Sequence, residues 1–388
     1  MIIQSLLDND FYKFTMQNAV IQLFPFAEVR YQFINRGGHV FPEGFVLALQ
    51  EELDKMTNLR LSVAEAEFLK KSCPYLPPTY IDFLKGFQFD SSEVQLTQKN
   101  GNLEVFVEGS WYRTILWEVP ILSLISELYY KLTHQKRVAD HQVVKIAKTK
   151  IEHYKDLGIK VADFGTRRRH SMHVHQLVVE ALKKYGTSTF AGTSNVNLAH
   201  QLQLKPIGTH AHEWFMFHAA QFGFKISNVL ALENWVTVYK GDLGIALSDT
   251  YTTQSFFKSF DKKLSKLFDG VRHDSGDPIE FAKQTIQHYQ SHQIDPLSKT
   301  IVFSDGLNPE KVDEITTFCS GKIGTSYGIG TNFTNDVGLE PMNIVIKMTE
   351  AKPEFGEWIG VVKLSDEKEK HTGTLEMIDL ANKIFKTN

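Results

Sequence analysis

The chain has 388 residues, enough for two domains or one large one. Apolar residues make up 42% of it, with 28 Phe among them, so a large core can be buried. A net charge of -3 without a dominant Lys/Arg block excludes a protein that coats nucleic acid, and two cysteines, Cys73 and Cys319, supply neither a disulfide framework nor metal-ligand spacing, which suits a reducing cytoplasm.

The opening MIIQSLLDNDFYKF is acidic within its first ten positions and has no long apolar stretch, so no signal peptide is expected. No run in the chain reaches membrane-spanning length. Phe11, Phe14, Ala19 and Leu23 fall at helical spacing until Pro25 ends the pattern. EVRYQFINR (28–36) alternates like a strand. Segments 41–56 and 63–86 read as helical, the latter broken by SCPYLPP. VQLTQKNGNLEVFVEG (94–109) sets two alternating runs around Asn100-Gly101, the dipeptide of a tight hairpin. These elements predict an α+β domain over residues 1–125.

Beyond this point the pattern changes. A long amphipathic stretch (123–156) precedes apolar runs at IKVADFG (159–165), TSTFAGT (187–193), KPIGT (205–209), LGIALSD (243–249), LFDGVRHD (267–274), TIVFSDG (300–306) and KIGTSYGIG (322–330). Helical segments lie between them, as in 278–292, where Phe281, Ile286 and Tyr289 form a stripe. About seven such runs approach the eight of a (β/α)8 barrel. Polar residues recur at every predicted strand end, as a closed rim requires, whereas an open doubly wound sheet would gather them at one switch point. The expectation is therefore an α/β chain with an irregular barrel over 126–339. NIVIKMTEA and WIGVVKLSD then alternate like strands, and 340–388 is expected to complete the N-terminal domain.

The strand ends carry the chemistry. In GIGTNFTNDVG (328–338), Gly328, Gly330 and Thr331 can cradle a phosphate with backbone N–H groups, or simply turn the chain. Gly306 in the preceding SDG favours the phosphate, because late barrel strands are its usual place. GTHAHEW (208–214) carries His210 and His212 at i, i+2, a spacing unsuited to two zinc ligands on one helix face. A histidine there beside Glu213 is a nucleophile or general base, or else a structural residue at a turn. Arg167 and Arg272 can grip a carboxylate or phosphate, or serve in salt bridges, while Arg168 and Arg169 are expected to be more exposed. Asp249 and Asp274 can meet ribose hydroxyls or Mg2+, or cap helices. Tyr12 can stack on a planar ligand or pack within its helix.

In chain order, DNDFYKFTM, FINRGG, DFGTRRRH, FAGTSNV, GTHAHEWF, LSDTY, RHDSGDP, FSDGL and YGIGTNFTND resemble the nicotinate phosphoribosyltransferase family, most closely its short bacterial and fungal form. The resemblance spans residues 8–338. It implies a type II phosphoribosyltransferase fold, an irregular α/β barrel with a domain built from both chain ends. It implies that nicotinate attacks C1 of 5-phosphoribosyl 1-pyrophosphate to give nicotinate mononucleotide and pyrophosphate, the entry step of NAD salvage. ATP hydrolysis would be coupled through a phosphohistidine, which classes the enzyme as a C–N ligase. By position that histidine is His212 rather than His210, with Glu213 orienting its ring.

The remaining roles follow from the same resemblance. Phe164 and Tyr12, the latter from a partner subunit, would sandwich the pyridine ring. Arg272 and Thr209 would meet the nicotinate carboxylate, and Arg167 would lie near ring and phosphates. Asp249 and Asp274 would handle ribose hydroxyls and Mg2+, with no metal site made by protein alone. Gly306, Gly328, Gly330 and Thr331 would bind the 5-phosphate. Arg36, with Lys347 and Lys363, would bind phosphates across a dimer interface. A cytoplasmic homodimer is implied, with Mg2+ as cofactor, ATP as co-substrate, and no nucleic-acid or membrane partner. The chain departs from the family at KLSDEKEKHTG (363–373), which lacks a Gly-Lys pair common there; Lys370 is the candidate for that lysine.

Ser194 bears on substrate choice. Related nicotinamide enzymes place an Asp at this position, where it accepts from the amide. A serine carries no fixed charge to repel a carboxylate, so nicotinate is expected over nicotinamide. A quinolinate phosphoribosyltransferase would need more cations and no ATP, and GTHAHEW argues against it. A non-catalytic nucleotide binder would have lost His212, Arg272 or the GIGT loop, and all three are present.

Overall fold

The computed structural model describes residues 1–386. They fall into two compact units, one made of 1–21, 30–208 and 329–347, the other of 22–29, 209–328 and 348 onward.

In the first unit, helix Phe11–Leu23 is buried on every side from Phe11 to Val20, and even Lys13 is enclosed, its ammonium 2.6 Å from Glu118. The hairpin forms as the Asn-Gly pair predicts. Lys99 faces Asn102, and Asn100 and Gly101 both take positive φ (51° and 78°). Leu103, Val105 and Val107 turn inward while Glu104, Phe106 and Glu108 face out. Strand Val161–Asp163 pairs in parallel with Phe190–Thr193, with Asp163 opposite Thr193. Helix Met172–Gly186 makes the crossover and packs on helix Asp140–Asp156. The amphipathic stretch 123–156 is not one helix. It divides into Glu118–Leu132 and Asp140–Asp156 at 133–139, where Thr133 to Arg137 offer no apolar residue to bury, although no Pro or Gly marks the break. KPIGT likewise makes only a single bridge, Thr193 to Pro206, rather than a strand.

The second unit is built on parallel strands Ile245–Leu247, Gly270–His273, Thr300–Phe303 and Gly324–Ile329, paired in that order. The register sets Leu247 beside Arg272, and His273 beside Phe303. The residues that follow each strand, Asp249, Asp274 and Asp305, therefore emerge along one edge. Helices Pro278–Ser291 and Pro309–Cys319 return the chain. Each begins with proline behind a capping side chain, Asp277 or Asn308. Of the run WIGVVKLSD, only Ile359–Gly360 is strand, paired with Ile344–Lys352. Among the described residues no helix is long and apolar enough to cross a membrane.

Candidate active site

His212 opens helix His212–Phe222, and its Nε2 meets Asp249 Oδ1 at 2.8 Å with Asp274 Oδ2 at 3.7 Å. Asp249 is secured through its other oxygen by Ser275 (2.6 Å), Ser365 (3.2 Å) and Lys363 (3.4 Å). Asp274 accepts from Arg272 and from Ser304, both at 2.7 Å, and Arg272 Nε donates to Ser304. Burial opposes the charge on both aspartates. Lys363 and His212 outweigh it at Asp249, and Arg272 and His212 at Asp274, so both carboxyls lie well below the usual range. Burial, helped by Lys363, draws the His212 imidazole down to about 4. At neutral pH this is a neutral ring against an ionised carboxylate: Nε2–H donates to Asp249, and Nδ1 keeps its lone pair.

The neighbouring histidine is different. His210 is sealed between Phe215 and Trp235, with ring centroids at 5.3 and 4.7 Å, and burial takes it to about 3. Glu213 is buried beside His212, but the carboxylate on the ring nitrogen is Asp249. Thr209 donates to Ile245 O at 3.2 Å. Gly306 is exposed at φ 54°, next to Asp305, which holds Lys370 at 2.8 Å. Gly328 is buried within its strand.

In the first unit, residues 7–11 dock on 194–197. Phe11 N donates to Ser194 O, Val196 N to Asn9 O and Asn197 N to Leu7 O. This docking puts Asp10 against Ser194, whose hydroxyl donates to it at 2.6 Å. Arg167 lies 3.8 Å from Asp10 and 3.6 Å from Glu118. Burial raises the Asp10 carboxyl despite Arg167. Tyr12 follows, 8% exposed, and Gly208 leaves room for it: a β-carbon at 208 would come within 2.9 Å of Tyr12 N. Phe164, half-buried, donates its N–H to Ile329 O at 2.8 Å. Thr334 donates to Gly165 O, and Asn335 to Arg168 O, so the loop of Phe164 and Arg167 is fastened to that of Gly330 and Thr331.

One expectation needs correcting. Arg169 is not exposed: it is fully buried and grips Asp8 through two bonds of 2.6 and 2.8 Å. Ser194 itself carries no charge but lies against the Asp10 carboxyl. Arg36 is exposed and Lys347 half-buried, whereas Lys363 is buried on Asp249. Sequence reasoning passed over Asp10, Ser275 and Ser365. All three stand inside segments already singled out, Ser365 within KLSDEKEKHTG, but none carries a role of its own in the sequence.

Residues 159–388 match the Nicotinate phosphoribosyltransferase (NAPRTase) family, and residues 7–126 match its N-terminal domain. Nicotinate phosphoribosyltransferase of Chromohalobacter salexigens is 61% identical over 99% of this chain and 98% of its own. The crystal structure of nicotinate phosphoribosyltransferase from Porphyromonas gingivalis superposes with a TM-score of 0.97 at 45% identity, covering 99% of this chain and 100% of that one. The Vibrio cholerae structure of the same name gives 0.94 at 34% identity, covering 100% and 95%. The fold is α/β of the type II phosphoribosyltransferase kind, and the chain belongs to the nicotinate phosphoribosyltransferase family.

Proposed function

We propose that this chain makes nicotinate mononucleotide from nicotinate and 5-phosphoribosyl 1-pyrophosphate, coupled to ATP through a phosphorylated His212. The pyridine nitrogen forms a bond to C1 of the sugar as the C1–oxygen bond breaks and pyrophosphate leaves. In the coupled step the γ-phosphoryl group of ATP passes to His212 Nδ1, ADP departs, and water later releases phosphate. The observation that carries this is the His212–Asp249 bond of 2.8 Å. It commits Nε2, stabilises the ring as it gains charge, and leaves Nδ1 as the nucleophile. His210, caged by aromatic rings, has no such partner carboxylate among its described contacts.

Arg272 and Thr209 take the nicotinate carboxylate. Phe164 stacks on the pyridine ring, completed by the partner subunit's Tyr12 in a homodimer. Gly306, Gly328, Gly330 and Thr331 receive the sugar phosphate, and Arg36 with Lys347 serves phosphates. His212, Asp249 and Asp274 bring a nitrogen and two carboxylate oxygens within 4.8 Å of one another. The two carboxylates suit Mg2+ shared with substrate phosphates, which would neutralise phosphate charge. The protein would act in the cytoplasm, in NAD salvage from nicotinate.

The test is turnover of nicotinate and of nicotinamide with phosphoribosyl pyrophosphate and Mg2+, each with and without ATP, following mononucleotide and ADP. Nicotinate turnover stimulated by ATP, lost in His212→Ala, is the expected result. Nicotinamide preference, or ATP stimulation that survives His212→Ala, overturns the reading.

A further inference from the structure

The segment Lys363 to Thr372 closes on itself through paired backbone bonds between those two residues. It lies as a strap across three strand ends. Leu364 N donates to Thr250 O, and Asp366 accepts from Thr253 N and Oγ1 (2.8 and 2.6 Å), behind the first strand. Glu367 accepts from Gly276 N at 2.8 Å, behind the second. Lys370 bridges Glu367 at 2.9 Å to Asp305 at 2.8 Å, behind the third.

At the centre of the strap is Ser365, 2% exposed and held at φ 62°. Glycine adopts that conformation without penalty, while a serine there is strained unless its surroundings fix it. Its hydroxyl sits 2.8 Å from Ser275 Oγ and 3.2 Å from Asp249 Oδ2. Ser275 in turn donates to Asp249 at 2.6 Å and accepts from Asp366 N at 3.1 Å.

We propose that Ser365 is a positioning residue: through Ser275 it locks the far oxygen of Asp249, so that the near oxygen stays on His212 Nε2. Lys363 supplies charge to the same oxygen at 3.4 Å, and the two hydroxyls give it directed hydrogen bonds. Without them the carboxylate can rotate about χ2 toward Lys363, and the imidazole loses the partner that orients it. Leu364 anchors the strap in the core, while the Ser365 side chain makes its contacts with Ser275 and Asp249, so the strained serine is explained by its hydroxyl. This inference rests on His212 as phosphoryl acceptor.

The test uses the full chain with Ser365→Gly, which removes the hydroxyl and relieves the strain together. Transfer of label from ATP to protein, kcat and KM for mononucleotide formation, and Tm are measured beside Ser275→Ala and the double variant. Phosphorylation and kcat should fall about 10- to 100-fold in each single variant, in line with the loss of an outer partner. KM for ATP should hold and Tm should not drop. The double variant should be no slower than the slower single, because both act through one carboxylate. Ser365→Gly turnover within about twofold of the unaltered enzyme, or single effects that multiply in the double, overturns the proposal. If Ser365→Gly does not fold, Ser275→Ala alone is held to the same limits. Unaltered protein that takes no label from ATP removes the phosphoacceptor reading by itself. The kcat for mononucleotide formation then decides the strap by the same two criteria.

Discussion

Ser194 gives its hydroxyl hydrogen to Asp10 at 2.6 Å, so a buried carboxylate stands against the residue whose neutrality was expected to admit an anionic base. Arg167, within 3.8 Å of Asp10, helps to balance it. In Ser194→Asp a second carboxylate would be set against the first, and two so close cannot both ionise. The variant should use nicotinate poorly, with KM raised about tenfold or more. Its stability carries a further signature. A carboxyl whose folded pKa is raised contributes stability below its unfolded value near 3.8 and loses it as pH rises through the folded value. Melts should therefore show a deficit that widens from about pH 4 upward. Unchanged nicotinate kinetics together with a pH-independent deficit would sink this account.

Stability of the unaltered protein should fall with acid. Burial draws His210 to about 3 and His170, His212 and His218 each to about 4, from an ordinary 6.5. Between those values the unfolded chain takes up protons that the native one refuses, so stability is complete above about pH 6.5 and drains as pH falls toward 4. His210→Phe keeps the ring in its aromatic cage and removes the titration. Its Tm should decline less steeply than that of the unaltered protein between about pH 6.5 and 5. Parallel slopes would contradict the assignment.

The enclosed Asp8–Arg169 pair should be intolerant of single changes. Asp8→Ala leaves a buried guanidinium without its carboxylate and should cost about 3–5 kcal/mol, more than Asp8→Ala with Arg169→Met. Denaturant unfolding of the three proteins checks the ranking, and a double variant weaker than the single would reverse it.

Gly208→Ala tests the placement of Tyr12. The new methyl group meets the Tyr12 backbone, which must shift. If Tyr12 stacks on the pyridine ring, kcat/KM for nicotinate should fall about tenfold while KM for ATP holds. Equal loss toward both substrates would point instead to general distortion.

What could be read from the sequence was what is local. The hairpin turned where Asn100-Gly101 said it would, since both residues reach positive φ cheaply. The strand ends carrying Asp249, Asp274 and Gly306 could be read because an apolar run gives way to polar residues there. The break at 133–139 is marked more faintly, by the polar run Thr133 to Arg137 with no Pro or Gly. Arg169 looked exposed because a run of three arginines is usually solvated, and nothing in that run reveals Asp8, 161 residues away. The Ser365–Ser275–Asp249 relay joins three segments through hydroxyls, and a serine in sequence does not announce its partner.

The residues around His212 have a consequence for synthesis. His212, Asp249, Ser275, Lys363 and Ser365 leave the ribosome in that order, and the earlier strands can pair long before the last two emerge. Until residue 365 is out, Asp249 lacks two of the groups that meet its far oxygen. A nascent chain stalled between 330 and 360 would thus carry paired parallel strands and an Asp249 that meets Ser275 but neither Lys363 nor Ser365, and would complete that set only as the final segment folds down.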